Sequence, residues 1–129
     1  MPDRALRPFR RQALVLALAL ALPGTPALAF ERITDAQAFA RLIEGRTLTR
    51  FGIRLEVSAR GDASGQITGR GFGYPVTGAW QWESGFLCRD LDWGGSDLGF
   101  NCQAVLHDGG TLRFVSDQGQ GDHADFRLR

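Results

Sequence analysis

The chain has 129 residues, and its 15 basic and 14 acidic side chains leave a formal net charge of +1. That balance supplies no positive field for nucleic acid. Two cysteines without a histidine close by in sequence leave a zinc ion short of ligands, which favours a disulfide over a metal site.

Residues 1–29 read as a secretory signal. Arg4, Arg7, Arg10 and Arg11 precede the apolar run Ala13 to Leu22, and Pro23-Gly24 and the small-residue site Ala27-Leu28-Ala29 follow it. A bilayer span needs about 20 apolar residues, so this run is too short to remain as an anchor, and no membrane span is expected after cleavage. Cleavage after Ala29 leaves residues 30–129, a single-domain length, with 11 arginines against 13 acids. The expected location is periplasmic or secreted. In that compartment Cys88 and Cys102 are expected to pair, and a loop of this size gains about 3 kcal/mol from closure.

Residues 34–45 carry the marks of a helix. Thr34 is the expected N-cap, Gln37 completes a capping box, and Gly45 suits a left-handed C-terminal turn. Ala36, Phe39, Ala40 and Ile43 share one face. From Arg46 the period changes to two: Phe51, Ile53, Leu55 and Val57 alternate with Gly52, Arg54, Glu56 and Ser58, the pattern of a strand buried on one side. Further strands are expected at Gln66–Gly71, Val76–Trp82, Phe86–Leu91, Phe100–Leu106, Thr111–Ser116 and His123–Leu128.

Placing Cys88 opposite Cys102 fixes a register, because a slip of one residue reverses every side chain. A three-residue turn at Glu83-Ser84-Gly85 then sets Trp80 opposite Cys88, with the indole beside the disulfide. A similar turn at Asp108-Gly109-Gly110 pairs Ala104 with Phe114. The expected core face is Ile53, Leu55, Val57, Ile67, Val76, Trp80, Trp82, Phe86, Cys88, Phe100, Cys102, Ala104, Leu106, Leu112, Phe114, Phe126 and Leu128. Gly69, Gly71 and Gly78 leave a bare floor in it, to be covered by the helix through Phe39 and Ile43, by a ligand cavity under the tryptophans, or by coiling of the sheet.

This register turns Leu87, Leu91, Trp93 and Val105 away from the core, around Arg89, Asn101 and Gln103. Large apolar side chains on a wet face with an arginine among them suggest a contact surface built from Leu87, Arg89, Leu91, Trp93, Asn101 and Gln103. Cover by a loop or a neighbouring strand is the alternative. No serine elbow, phosphate loop, paired-histidine zinc helix or dinucleotide glycine pattern occurs, so no catalytic residue is assigned. Asp117, Asp122, His123 and Asp125 gather around Gly119 and Gly121. Such an oxygen-rich loop can hold calcium, but the spacing of an EF-hand and its terminal glutamate are missing, and a solvated hairpin loop gives the same composition.

Gly78-x-Trp80-x-Trp82, Gly85-Phe86-Leu87-Cys88-Arg89, Asn101-Cys102-Gln103-x-Val105 and Leu112-Arg113-Phe114-x-Ser116-Asp117 resemble the pattern of small secreted alphaproteobacterial domains of unknown function. The resemblance covers most of residues 34–117. Some members of that group carry the label dihydrodipicolinate reductase. Such a reductase resembles a larger nucleotide-binding α/β enzyme with a glycine fingerprint after its first strand, and no such fingerprint stands here.

The residues thus predict a mainly β protein: an antiparallel meander of seven to eight strands, curved or closed into a small barrel, with one N-terminal helix on its end or its face. The expected role is a non-enzymatic binding or interaction module without a cofactor. Its partner would be a periplasmic protein or a small apolar ligand. A small metal-dependent or hydrolytic enzyme using the Asp117–Asp125 loop is the alternative.

Overall fold

The computed structural model describes residues 29–61 and 63–129, so all but the last residue of the expected signal segment lies outside the described residues. The described chain is an antiparallel barrel. In order along the chain come β1 (Glu31–Ile33), the helix α1 (Ala36–Ile43), β2 (Leu48–Arg50), β3 (Ile53–Arg60), β4 (Ser64–Gly71) and β5 (Tyr74–Glu83). Then follow β6 (Phe86–Trp93), β7 (Ser96–Asp108), β8 (Thr111–Val115), the four-residue turn α2 (Ser116–Gly119) and β9 (His123–Leu128). Strands β2 to β9 each pair with the next, and β9 returns to β2 through Leu48 opposite Leu128. Paired backbone bonds between Thr47 and Arg129 extend that seam. Closure leaves these eight strands without a free edge. The ninth strand, β1, continues the β6 side of β7 beyond Gln103, with Ile33 opposite Val105.

The helix forms close to where its residue pattern places it, with two differences at its start. Residues 31–33 are a strand, and the N-cap is Asp35 rather than Thr34: the Asp35 carboxylate accepts from the Gln37 backbone N–H at 2.9 Å. Thr34 instead offers its carbonyl to the Trp82 indole N–H at 3.2 Å. Gly45 takes the expected left-handed conformation, with φ 65°. So short a helix is marginal alone and depends on what its apolar face meets. Phe39, fully buried, stands edge-on to Trp80 at 5.2 Å and stacks on Trp82 at 5.4 Å. The helix therefore plugs the barrel end that carries the Ser84-Gly85 turn.

Turn geometry decides which face of β6 and β7 is inside. The β5–β6 connection is a two-residue turn, not three: Ser84 and Gly85 both have positive φ (50° and 84°), and Glu83 pairs with Phe86. This is the twist-matched hairpin turn, with serine in a position that favours asparagine or glycine. One residue fewer in the loop brings Trp80 opposite Arg89 instead of Cys88. The β7–β8 connection is likewise two residues, Gly109-Gly110, and pairs Val105 with Phe114 rather than Ala104.

The consequence is an inversion of the expected faces on β6 and β7. Leu87, Arg89, Leu91, Trp93, Gln103 and Val105 share the parity of Trp80 and Phe114 and line the inside. Phe86, Cys88, Phe100, Cys102, Ala104 and Leu106, expected in the core, belong to the outer face. Leu87 is 3% exposed and Phe100 57% exposed. The disulfide forms, between directly opposed residues, on the outside of the barrel and not beside the Trp80 indole. Ala104 is buried because α2 folds against it at Gly119. On β3, β4, β5, β8 and β9 the expected inner residues do face inward, with Ile67 opposite Gly78. Phe51 sits in the β2–β3 turn, exposed.

None of the three floor glycines meets the helix: Gly71 is covered by Trp93, while a β-carbon on Gly69 would meet the Arg54 carbonyl and one on Gly78 the Asp90 carbonyl and the Leu91 side chain. A β-carbon on Gly71 would run into the Trp93 ring, and one on Gly65 into the Ser58 carbonyl and the Trp80 indole nitrogen. Both indoles also use these sites for hydrogen bonds: Trp93 donates to the Gly71 carbonyl at 3.2 Å and Trp80 to the Ser58 carbonyl at 2.9 Å.

If Phe39 is the plug of this end, Phe39→Ala should lower the unfolding free energy by about 3–5 kcal/mol, as for other buried phenylalanines. Urea denaturation followed by tryptophan fluorescence measures it. A loss under about 1 kcal/mol, the level of an average substitution, would show that the helix is not part of the core.

Candidate functional site

The helix plug fills one end of the barrel, and Trp93 with Gly71 narrows the other. Between them lies a pocket of about 250 Å³ in the barrel interior, partly open to solvent. An eight-stranded barrel of this kind has room either for its own side chains or for one small ligand. Leu48, Leu55, Val57 and Ile67 form one wall, from β2, β3 and β4, with Phe39 at the plugged end. Phe114, Ala124 and Phe126 come from β8 and β9, and Phe126 meets Phe114 edge-on at 5.8 Å.

The remaining lining residues differ in character. Leu87, Arg89 and Leu91 come from β6, Gln103 from β7, and Ser116 from the start of α2. Leu87, Arg89, Leu91 and Gln103 belong to the expected contact surface, which the two-residue turn has moved from the outside to the inside. The surface as a patch on the exterior is therefore not present. The other two members are engaged elsewhere. Trp93 borders a shallow aromatic depression with Phe72, Tyr74 and Leu98 at the end away from the helix. Asn101 donates to the Asp117 carboxylate at 2.7 Å and accepts from the Asp117 backbone N–H at 3.0 Å, which pins the left-handed turn at Asp117-Gln118 to β7.

Arg89 is half-buried. Its Nη1 donates to the Gly99 carbonyl at 2.9 Å, and among the described residues no carboxylate lies within 4 Å of its guanidinium. Burial lowers its basicity, an effect the Asp90 carboxylate on the other face partly opposes. An arginine remains protonated at any physiological pH in spite of this. No fully buried side-chain nitrogen in the described structure lacks a partner, so the donors that Arg89 does not spend on Gly99 open onto accessible space.

The loop residues Asp117, Asp122, His123 and Asp125 are not brought to a common point. Asp117 is held by Asn101, while Asp125 receives two hydrogen bonds from Arg113, at 2.8 and 3.0 Å, on the outer wall. Among the described residues, the set of three ligand-type atoms within 4.8 Å of one another is Glu83, Cys88 and Cys102. Both of those sulfurs are consumed by the disulfide. Comparison with family models, with curated proteins and with solved structures finds no match to this chain.

The Arg113 hydrogen bonds hold the Asp125 carboxyl below its ordinary value of 3.8. A carboxyl depressed by folding adds stability above the unfolded-state value and loses it as the pH falls through the folded one, so this pair contributes at neutral pH and its contribution is lost only under acid conditions. The pair is partly exposed and its contribution is correspondingly screened. In a carbon-13 titration Asp125 should titrate below 3.8 and return toward that value in Arg113→Gln. An unchanged midpoint would break the link between the two.

Proposed function

We propose that residues 30–129 form an exported, non-enzymatic binding module that holds a small apolar molecule inside the barrel. The observation that carries this reading is the interior cavity, walled mainly by leucine, isoleucine, valine and phenylalanine, with a few polar groups on one side. Concave, mostly apolar sites with a small number of placed polar groups are what small ligands occupy. Export is supported by two features. The first 29 residues have the basic, apolar and small-residue order of a secretory signal, and the Cys88–Cys102 disulfide suits an oxidising compartment. The resemblance to small secreted domains agrees with the same location.

A cavity of about 250 Å³ lies just under the usual range for drug-sized ligands, roughly 300–1,000 Å³, and points to a compact occupant. Titration of the mature protein with 1-octanol, followed by calorimetry, should give saturable binding at one site. Ala124→Phe, which places a ring in the cavity, should weaken it by about ten-fold or more, equivalent to 1.4 kcal/mol. Absence of saturable binding to the native protein, or equal binding by a folded Ala124→Phe variant, would refute the proposal.

A further inference from the structure

We propose that the occupant of the barrel is a small amphipathic monoanion, whose carboxylate pairs with Arg89 while its apolar portion fills the chamber. This rests on the reading of the interior as a binding site and adds the class of ligand. The argument begins with where the polar groups lie. Arg89, Gln103 and Ser116 come from β6, from β7 and from the residue that follows β8, three neighbours in the ring. The opposite wall, from β2 to β4, contributes only aliphatic side chains to the cavity. The chamber is therefore amphipathic across its width, with hydrogen-bonding groups along one side only.

The charge within that polar side has one sign. Among the described residues, Arg89 is the one ionisable group on the cavity wall. Two acids stand near it in the fold, and neither neutralises it there. Asp90 is the next residue but points to the outer face, opposite Phe100. Asp117 is occupied by Asn101, the cross-strand partner of Arg89. Arg89 is half-buried, and the partial loss of water around its charge is a cost that a paired anion would offset. Here a single backbone carbonyl satisfies one of five N–H donors. The planar fork of the remaining donors matches a carboxylate, which can take two parallel hydrogen bonds. Gln103 and Ser116 supply neutral partners for its remaining lone pairs. The size of the cavity limits the apolar portion to a medium-length chain or a single ring.

Octanoate and 1-octanol differ in the head group while sharing the chain, so they separate this inference from the one beneath it. The native protein should bind octanoate about ten-fold or more tighter than 1-octanol, the range of a charge-assisted hydrogen bond. Arg89→Met keeps the length and apolar character of the stem. It should lose that preference, with folding checked separately by a near-ultraviolet circular dichroism spectrum that matches the native one. Equal affinity of the native protein for the two ligands overturns the anion inference and leaves the cavity as a site for neutral molecules. Preference for octanoate that persists in Arg89→Met overturns the role of Arg89. Failure of both ligands to bind the native protein removes the binding site itself, and the inference with it.

Discussion

Side-chain parity along β6 governs what this barrel encloses. Strand side chains alternate faces, so the length of the single turn at Ser84-Gly85 determines whether Cys88 or Arg89 points inward. With two residues in the turn, Leu87, Arg89 and Leu91 enter the interior, and the disulfide is placed on the outer surface, where it staples β6 to β7 without occupying volume within. A third residue would have exchanged the two sets. The chamber would then have held two sulfurs and Phe86, and the guanidinium would have faced water.

The aromatic residues are distributed so that the ends are filled and the middle is not. Trp80 and Trp82 close on Phe39 at the helix end, and Trp93 covers Gly71 at the other. Their indole N–H groups all reach backbone carbonyls, so these rings are fixed in orientation as well as packed. Protein interiors are normally filled to crystal-like density, and a void between two such packed layers forfeits dispersion contacts. Retaining both a void and a cation beside it is unfavourable for stability alone. Binding sites are where such local costs are ordinarily tolerated.

Much of this was legible in the residues. The helix was readable because Phe39 and Ile43 fall on one face before Gly45, and the strands because Ile53, Leu55 and Val57 alternate cleanly with polar side chains. The pairing of Cys88 with Cys102 was also readable. What misled was turn chemistry. Serine at position 84 adopts a left-handed conformation that its residue type seldom takes, so the two-residue hairpin there was hidden where asparagine would have announced it. The cysteines then compounded the error, because sulfur is usually buried in the core and here Cys88 is buried, and Cys102 half-buried, on the outer face. The composition of β6 did carry the correct signal: Leu87, Leu91 and Trp93 are the larger apolar set, and a face that apolar belongs inside. Ser116 could not have been assigned to the cavity, since no pattern announced the turn α2 that carries it.

Whether the Leu87–Arg89–Leu91 face is enclosed is the claim on which the chamber depends, and solvent paramagnetic relaxation tests it most directly. With a soluble gadolinium chelate added to the mature protein, the methyl resonances of Leu87 should keep their intensity and the ring resonances of Phe100 should be bleached, in line with exposures of 3% and 57%. Bleaching of Leu87 with protection of Phe100 would place the disulfide face inside and contradict the account.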